Sequence, residues 1–218
     1  MPDYLLHFIV YSALLVGVML LAELSYRLLQ LKTEWTRKIA HVGSGMVALS
    51  YPQYLESHWV VLALTLSFTV ILYTSKKMGL FQSIFSVGRK SYGELYFVWS
   101  SWLLFWLFQA TGEVTYFYVP FAIVVFADPA AALIGTYLPI RKYTVFGNHK
   151  SVAGSAAFFV TSFFLSYFLL NKAGINANTI LLSLLHAALL TLLEAISPKG
   201  SDNLTIPVFS VLFLYFIL

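Results

Sequence analysis

Eight apolar runs of spanning or near-spanning length occupy most of this chain of 218 residues. A helix needs about 20 residues to cross the hydrocarbon core of a bilayer, with a range of about 17 to 25. The second and the last run are short by this measure. The runs cover Leu5–Leu29, Thr36–Tyr51, His58–Thr74, Glu94–Ala110, Val114–Leu138, Ser151–Leu170, Thr179–Ile196 and Leu204–Leu218. We therefore predict an all-α, polytopic bundle of about eight transmembrane helices, with seven as the alternative.

The composition favours lipid as the solvent of this bundle. Hydrophobic residues make up 60% of the chain and charged residues only 10%, whereas a soluble domain carries about 25% charged residues. No repeat or Pro/Gly-rich linker divides the sequence, so residues 1–218 are expected to form one membrane domain. The net charge of +4 gives no support for nucleic-acid binding, and the absence of cysteine excludes disulfides and thiolate metal sites.

The basic residues predict how the helices are oriented. If all eight runs cross, the loops 30–35, 75–93, 139–150 and 197–203 lie on one side. With the adjoining helix ends they hold every Lys and Arg of the chain except Lys172. This asymmetry is typical of a cytoplasmic face. We expect eight crossings in the cell inner membrane, both termini outside, and a short amphipathic interfacial helix near 79–85 in the second of these loops.

Asp128 is the deepest ionisable residue of the predicted bundle. It lies about ten residues before its helix ends, which corresponds to a depth of about 15 Å in a regular helix. Pro129 and the small residues around it predict a break and close helix packing. A buried carboxylate needs a cation, and Mg²⁺ that carries nucleotide phosphates would supply one. The alternative is a packing Asp that is protonated or paired with Lys or Arg.

A second group of polar residues precedes the sixth apolar run. Lys150, Ser151, Gly154 and Ser155 follow a basic loop and open a helix, and helix N-termini bind phosphate through free backbone N–H groups. Small residues let a phosphate approach the backbone, but the Walker spacing is missing. The alternative is an ordinary capped helix whose Lys150 extends toward the headgroups.

A third group closes the seventh run and opens the eighth. Glu194 lies within the membrane about one turn from the surface. Asp202 and Asn203 follow a Pro/Gly turn and are candidate metal or ribose ligands. Asp202 is alternatively the N-cap of the last helix.

Arg37, Lys38 and His41 share one helix face, because residues three and four apart are neighbours on a helix. Gly43 and Gly45 follow them and would let an anionic group approach closely. The alternative is a basic helix end that lies on anionic lipid headgroups.

Arg89 and Lys90 are candidate phosphate or lipid contacts, and Glu94 just beyond them complements a helix dipole. No histidine-based zinc spacing is present. Carboxylates beside Lys and Arg at one membrane face favour Mg²⁺-assisted phosphoryl or nucleotidyl transfer, in which positioning and charge neutralisation supply most of the catalysis.

Five of these motifs together resemble the polyprenol kinase family, which includes dolichol, phytol and farnesol kinases and CTP-dependent diacylglycerol kinases. The motifs are 37–41, 89–93, Asp128 with Gly135, 150–155, and 194–207. The resemblance implies a membrane kinase that transfers the γ-phosphate of CTP, or of another nucleoside triphosphate, to the hydroxyl of a lipid alcohol.

With this resemblance, Asp128 and Asp202 are expected to bind Mg²⁺, and Glu194 is a third ligand or the base that accepts the alcohol proton. Lys150 is expected to act in catalysis. The remaining candidates are placed around the nucleotide: Arg37, Lys38, His41, Arg89, Lys90, Ser151, Gly154, Ser155 and Asn203.

Several alternatives stay open at this point. The sequence does not separate phytol, farnesol, a long polyprenol and diacylglycerol as acceptors, because an apolar tail is bound by apolar surface. A CTP:phosphatidate cytidylyltransferase would release pyrophosphate instead of a nucleoside diphosphate. A transporter or a non-catalytic membrane protein is the third alternative, but transporters place ionisable groups at the midplane of two related halves.

Overall fold

The computed structural model of the chain describes residues 3–85, 92–145, 148–175, 178–197 and 200–218. Each of the eight apolar runs coincides with one long helix, so the predicted all-α bundle is confirmed. The elements are α1 (Asp3–Leu28), α2 (Thr33–Leu49), α3 (Tyr51–Tyr54), α4 (His58–Met78), α5 (Gln82–Phe85), α6 (Gly93–Thr111), α7 (Thr115–Tyr137), β1 (Lys142–Val145), β2 (Asn148–Ser151), α8 (Val152–Lys172), α9 (Thr179–Ile196) and α10 (Asp202–Tyr215).

Five of the helices in these ranges, α1, α4, α7, α8 and α9, are long and apolar enough to cross a membrane. The protein is therefore an integral membrane protein. Helix α2 has 17 residues and α10 has 14, which puts α10 below the length that spans a bilayer without tilt or thinning. Eight crossings and a cytoplasmic orientation of the charged face stay predictions.

Helix α7 is the central helix of the bundle. It packs against α2, α6, α8 and α10, and it is apolar all round, as expected of a helix that is buried on every side. Pro120 and Pro129 lie within it. The break predicted at Pro129 is wrong, because α7 continues to Tyr137, and neighbouring helices make a proline tolerable inside a membrane helix.

Small residues bring α7 and α8 into close contact, as the sequence predicted. A Cβ atom added to Gly154 would lie 2.9 Å from the carbonyl oxygen of Ala131 and 3.2 Å from the Cα of Gly135. The α8 backbone therefore touches the α7 backbone in the turns that follow Asp128.

Gly43 and Gly45 also serve helix packing. A Cβ atom would lie 2.8 Å from the Val18 side chain at Gly43 and 2.5 Å from the Val125 side chain at Gly45. The expectation that these glycines admit an anionic group is wrong, because the neighbouring helices α1 and α7 already fill the space.

Two short elements lie in the loops on the basic side. Strands β1 and β2 form an antiparallel hairpin, in which Tyr143 pairs with Lys150; the sequence had predicted only a loop here. Helix α5 covers only the last four residues of the short helix predicted near 79–85, and it packs against α1 and α2; its interfacial position stays a prediction. Both elements lie beside the polar ends of the long helices.

Candidate active site

Five charged residues from five separate elements converge at one end of the bundle. They are Lys38 on α2, Asp128 on α7, Lys150 on β2, Glu194 on α9 and Asp202 on α10. Asp202 lies close enough to interact electrostatically with all of the other four, and Asp128 does so with Lys38 and Lys150. The sequence analysis assigned these residues to one site, and the fold brings them together there.

Asp128 is neutralised by Lys38. The Lys38 Nζ donates a hydrogen bond to Asp128 Oδ2 at 2.6 Å, and only 8% of the lysine side chain and 16% of the aspartate side chain are exposed. Burying two charges costs several kcal/mol per ion before their attraction is counted. Packing alone therefore gives little reason for this pair, and ionisable groups at membrane depth mark functional sites.

Glu194 is held by Lys150 in a second buried pair. The Lys150 Nζ donates to Glu194 Oε1 and, at 2.8 Å, to the Glu194 backbone oxygen. Within the described ranges, Glu194 Oε2 is buried and accepts no hydrogen bond. An unsatisfied buried acceptor is costly, so this oxygen is available to a donor or a cation that the described residues do not supply.

Asp202 is the first residue of α10. Ser201 precedes it at the N-cap position without a side-chain cap bond, so the capping alternative for Asp202 is wrong. The Asp202 carboxylate accepts from the Asn203 backbone N–H at 3.1 Å and forms no ion pair with the residues that the structure describes. It is the acidic group of the cluster that is free to bind a cation.

Asn203 links α10 to α6. Its Nδ2 donates to the Gly93 carbonyl at 2.8 Å, while its Oδ1 is buried and, among the described residues, has no donor. This amide oxygen is the second unsatisfied acceptor of the cluster.

The residues proposed to hold phosphate at the start of α8 are occupied by local structure. Ser151 caps the helix by accepting from the Gly154 N–H at 3.1 Å, and Ser155 Oγ lies 2.6 Å from the Tyr143 hydroxyl. Gly154 packs against α7. In this segment the structure matches the alternative of a capped helix, and only Lys150 faces the charged cluster.

Arg37 and His41 lie beside the Lys38–Asp128 pair. Arg37 forms no ion pair with any described residue, so among these residues its charge is available to an anionic ligand. His41 Nε2 lies 3.0 Å from the Val124 carbonyl oxygen. Because a carbonyl only accepts, Nε2 carries the hydrogen and the Nδ1 of the neutral ring is left as an acceptor.

A cavity of about 120 Å³ opens beside Asp128. Its polar end is formed by Arg37, Lys38, His41, Glu94, Asp128 and Asn203. Its remaining length is lined mainly by apolar side chains of α1, α2, α4 and α6. Glu94, which the sequence linked only to the helix dipole, also receives a hydrogen bond from Lys76 Nζ at 2.6 Å.

Arg89 and Lys90 lie outside the described residues. Glu23, in contrast, is a buried carboxylate that the sequence analysis did not single out. It accepts from Arg27 Nε at 2.6 Å and from the Ser83 backbone N–H at 3.1 Å, so it holds α5 against α1. Its position inside the first apolar run was the signal that could have identified it.

The donor set fits a nucleotide-bound Mg²⁺ better than a protein cage. The expectation that Asp128, Asp202 and Glu194 together form a three-carboxylate metal site is wrong, because no group of three His, Asp or Glu side chains that could hold a metal exists within the described ranges. Mg²⁺ is usually bound through one or two carboxylates together with substrate phosphates. Asp202 and the unsatisfied oxygens of Glu194 and Asn203 are acceptors of the kind that this cation prefers.

Comparison with known proteins shows which family the chain resembles over most of its length. The chain is 34% identical over 201 residues to a phytol kinase of Synechocystis sp., and the alignment covers 90% of this chain and 84% of that protein. No protein-family model and no solved structure matches the chain.

Proposed function

This chain belongs to the polyprenol kinase family and is a kinase that phosphorylates an isoprenoid alcohol, and we propose which of its residues bind the alcohol and which bind the phosphate donor. The donor is CTP, bound with Mg²⁺ at the cytoplasmic face of the inner membrane. The acceptor hydroxyl approaches from the cavity beside Asp128. The γ-phosphate is transferred from CTP to this hydroxyl.

The acceptor side of the site is formed by Asp128, Lys38 and His41. The hydroxyl of the alcohol donates to Asp128, which accepts the proton as the oxygen attacks the γ-phosphorus. The bond between the γ-phosphorus and the β,γ-bridging oxygen breaks, and CDP leaves with that oxygen. In this proposal Asp128 rather than Glu194 is the base, because Asp128 lines the cavity and Glu194 does not.

The donor side is formed by Lys150, Glu194 and Asp202. Mg²⁺, where bound by Asp202 and the free oxygen of Glu194, would neutralise charge on the triphosphate. Lys150 and Arg37 supply positive charge to the phosphate oxygens, because a loose transition state spreads negative charge over them. Lys38 turns from Asp128 toward the γ-phosphate as the alcohol takes its place.

One observation carries this proposal: residues that are far apart in sequence converge on one end of the bundle, with a cavity that opens on Asp128. A packing role for each charge taken alone would not require five elements to meet there. Positioning and charge neutralisation are what phosphoryl transfer needs from a protein.

Product analysis tests the proposal directly. The purified protein is incubated with γ-labelled CTP, Mg²⁺ and a panel of farnesol, phytol, a long polyprenol and diacylglycerol. The expected products are a labelled lipid phosphate and CDP. Pyrophosphate and a CDP-lipid would show a cytidylyltransferase instead, and equal activity with ATP would contradict the assignment of CTP.

A further inference from the structure

We infer that the cavity between α1, α2, α4 and α6 is the binding site for the acceptor alcohol, and that its depth measures the length of a single isoprenoid chain. This inference rests on the proposed function, because it takes the hydroxyl to lie at the Lys38–Asp128 pair. The inference identifies the helices that bind the hydrocarbon tail of the alcohol and the residues that limit the length of this tail.

The distribution of polar and apolar groups along the cavity matches that of a lipid alcohol, which has one polar end and an apolar tail. One end carries the charged residues of the active site, and beyond it the wall is built from large apolar side chains. These are Leu15, Met19, Leu64, Phe68, Leu72 and Phe97. An apolar pocket with a few polar groups at one end is the usual form of a site for such a ligand.

The length of the cavity follows from the face of α2 that lines it. Lys38, His41, Ser44 and Ala48 all border the cavity and follow the spacing of one helix face. Ten residues of helix from Lys38 to Ala48 span about 15 Å. At roughly 1.2 Å per bond for an extended chain, this distance holds about a dozen bonds, the length of a farnesyl main chain.

The width of the cavity admits one chain. The inner space of about 120 Å³ is spread over this length, so the cavity is a narrow channel that suits one chain better than two acyl tails side by side. The site is therefore shaped for an alcohol with a single hydrocarbon chain.

Three of the hydroxyl groups that border the cavity already donate to backbone carbonyls. Ser44 donates to the Ala40 carbonyl at 2.7 Å, and Ser101 and Thr65 donate to the Val98 carbonyl at 2.7 and 3.5 Å. The ester carbonyls of diacylglycerol would meet no free donor from these three residues. Burying a polar group without a partner costs about 1–3 kcal/mol in proteins, so this part of the wall disfavours an ester group.

The far end of the cavity is closed by aromatic rings. Tyr51 borders the cavity, and its ring packs edge-on against Tyr11 and Phe105 at centroid distances of 5.1 and 6.1 Å. Ala48 lies one turn before this end, on the face of α2 that borders the cavity. A larger side chain at Ala48 would shorten the pocket, and a smaller one at Leu64 would extend it.

A chain-length series tests the inference. The kcat/KM values for geraniol, farnesol, geranylgeraniol and dioleoylglycerol are measured for the wild type and for Ala48→Leu and Leu64→Ala. We expect Ala48→Leu to lower the farnesol-to-geraniol ratio by roughly tenfold, since a few methylenes in a pocket are worth that much discrimination. Leu64→Ala should raise the geranylgeraniol-to-farnesol ratio, and dioleoylglycerol should be the poorest substrate throughout.

Ala63→Leu is the matched control, because Ala63 is exposed on the outer face of α4 and does not line the cavity. Its ratios should equal those of the wild type. If both pocket variants are active and their ratios are unchanged, the cavity is not the alcohol site, although the protein is still a kinase. Efficient phosphorylation of dioleoylglycerol would contradict the single-chain pocket in the same way. A wild type that phosphorylates none of the alcohols would overturn the proposed function itself, and the pocket with it.

Discussion

Asp128 on α7 and Lys38 on α2 are 90 residues apart in the chain, yet their side chains meet at 2.6 Å in a buried ion pair. This contact joins the central helix α7 to α2, one of the helices that line the cavity. It places a carboxylate, a cation and the cavity entrance at one point. The candidate chemistry of the protein depends on this relationship.

The second ion pair allows stability and activity to be separated. Lys150→Met would leave the Glu194 carboxylate buried without its cation, and removing one partner of a buried pair costs about 3–5 kcal/mol. The double variant Lys150→Met/Glu194→Leu removes both charges and should recover most of that loss. We therefore expect a low Tm for the single variant, a nearly normal Tm for the double variant, and no kinase activity in either.

Thermal unfolding in detergent, followed by kinase assays of the same preparations, checks this prediction. If the double variant were active, Lys150 and Glu194 would be structural residues only, and the donor side of the proposed site would be wrong.

The close contact between α7 and α8 leaves no room for an added methyl group at Gly154. Gly154→Ala places a Cβ atom 2.9 Å from the Ala131 carbonyl oxygen, so the helices must separate, at a cost of about 1–3 kcal/mol. Gly17→Ala is the matched control on α1, where no atom lies within 4 Å of the added Cβ. We expect a lower Tm for Gly154→Ala and an equal or higher Tm for Gly17→Ala; equal losses in both would contradict the packing account.

The free carboxylate of Asp202 predicts a specific metal phenotype. Asp202→Asn keeps the size of the side chain but weakens its interaction with a divalent cation. We expect the Mg²⁺ concentration for half-maximal activity to rise on the order of tenfold or more, in the range found when groups that support a metal site are replaced. Chelation with EDTA should abolish wild-type activity, and added Mg²⁺ should restore it.

The matched control for this experiment is Asp3→Asn, since Asp3 lies in the first turn of α1, far along the chain from the cluster. Its Mg²⁺ dependence should equal that of the wild type. An Asp202→Asn enzyme with an unchanged Mg²⁺ requirement would remove Asp202 from the donor side.

The helices could be predicted from sequence because each is an apolar run of the length that a bilayer demands. The seventh run, Thr179–Ile196, has the same bounds as α9. Charged residues inside or beside such runs identified Lys38, Asp128, Glu194 and Asp202 as candidates. Their convergence follows from the alternation of helix directions, which places the ends of successive helices on the same side.

Partners and packing roles could not be predicted, because they depend on which helices become neighbours. Gly43 and Gly154 were interpreted as openings for an anion, but both contact an adjacent helix. The pairing of Lys38 with Asp128 and of Lys150 with Glu194 requires the order of helices in the bundle, which apolar periodicity does not encode. The cavity also arises only from the assembled bundle, since no single helix predicts it.

The most direct test of the central claim is the initial rate of farnesol phosphorylation by Asp128→Asn, compared with Glu113→Gln as a carboxylate-to-amide control that precedes the other end of α7. Positioned acid–base groups contribute about 10²–10⁴-fold to a rate. We predict that Asp128→Asn, whose Tm should fall because buried Lys38 loses its partner, has a rate per folded molecule at least about a hundredfold lower, while Glu113→Gln retains the wild-type rate. A folded Asp128→Asn enzyme that phosphorylates farnesol as fast as the wild type would contradict the account.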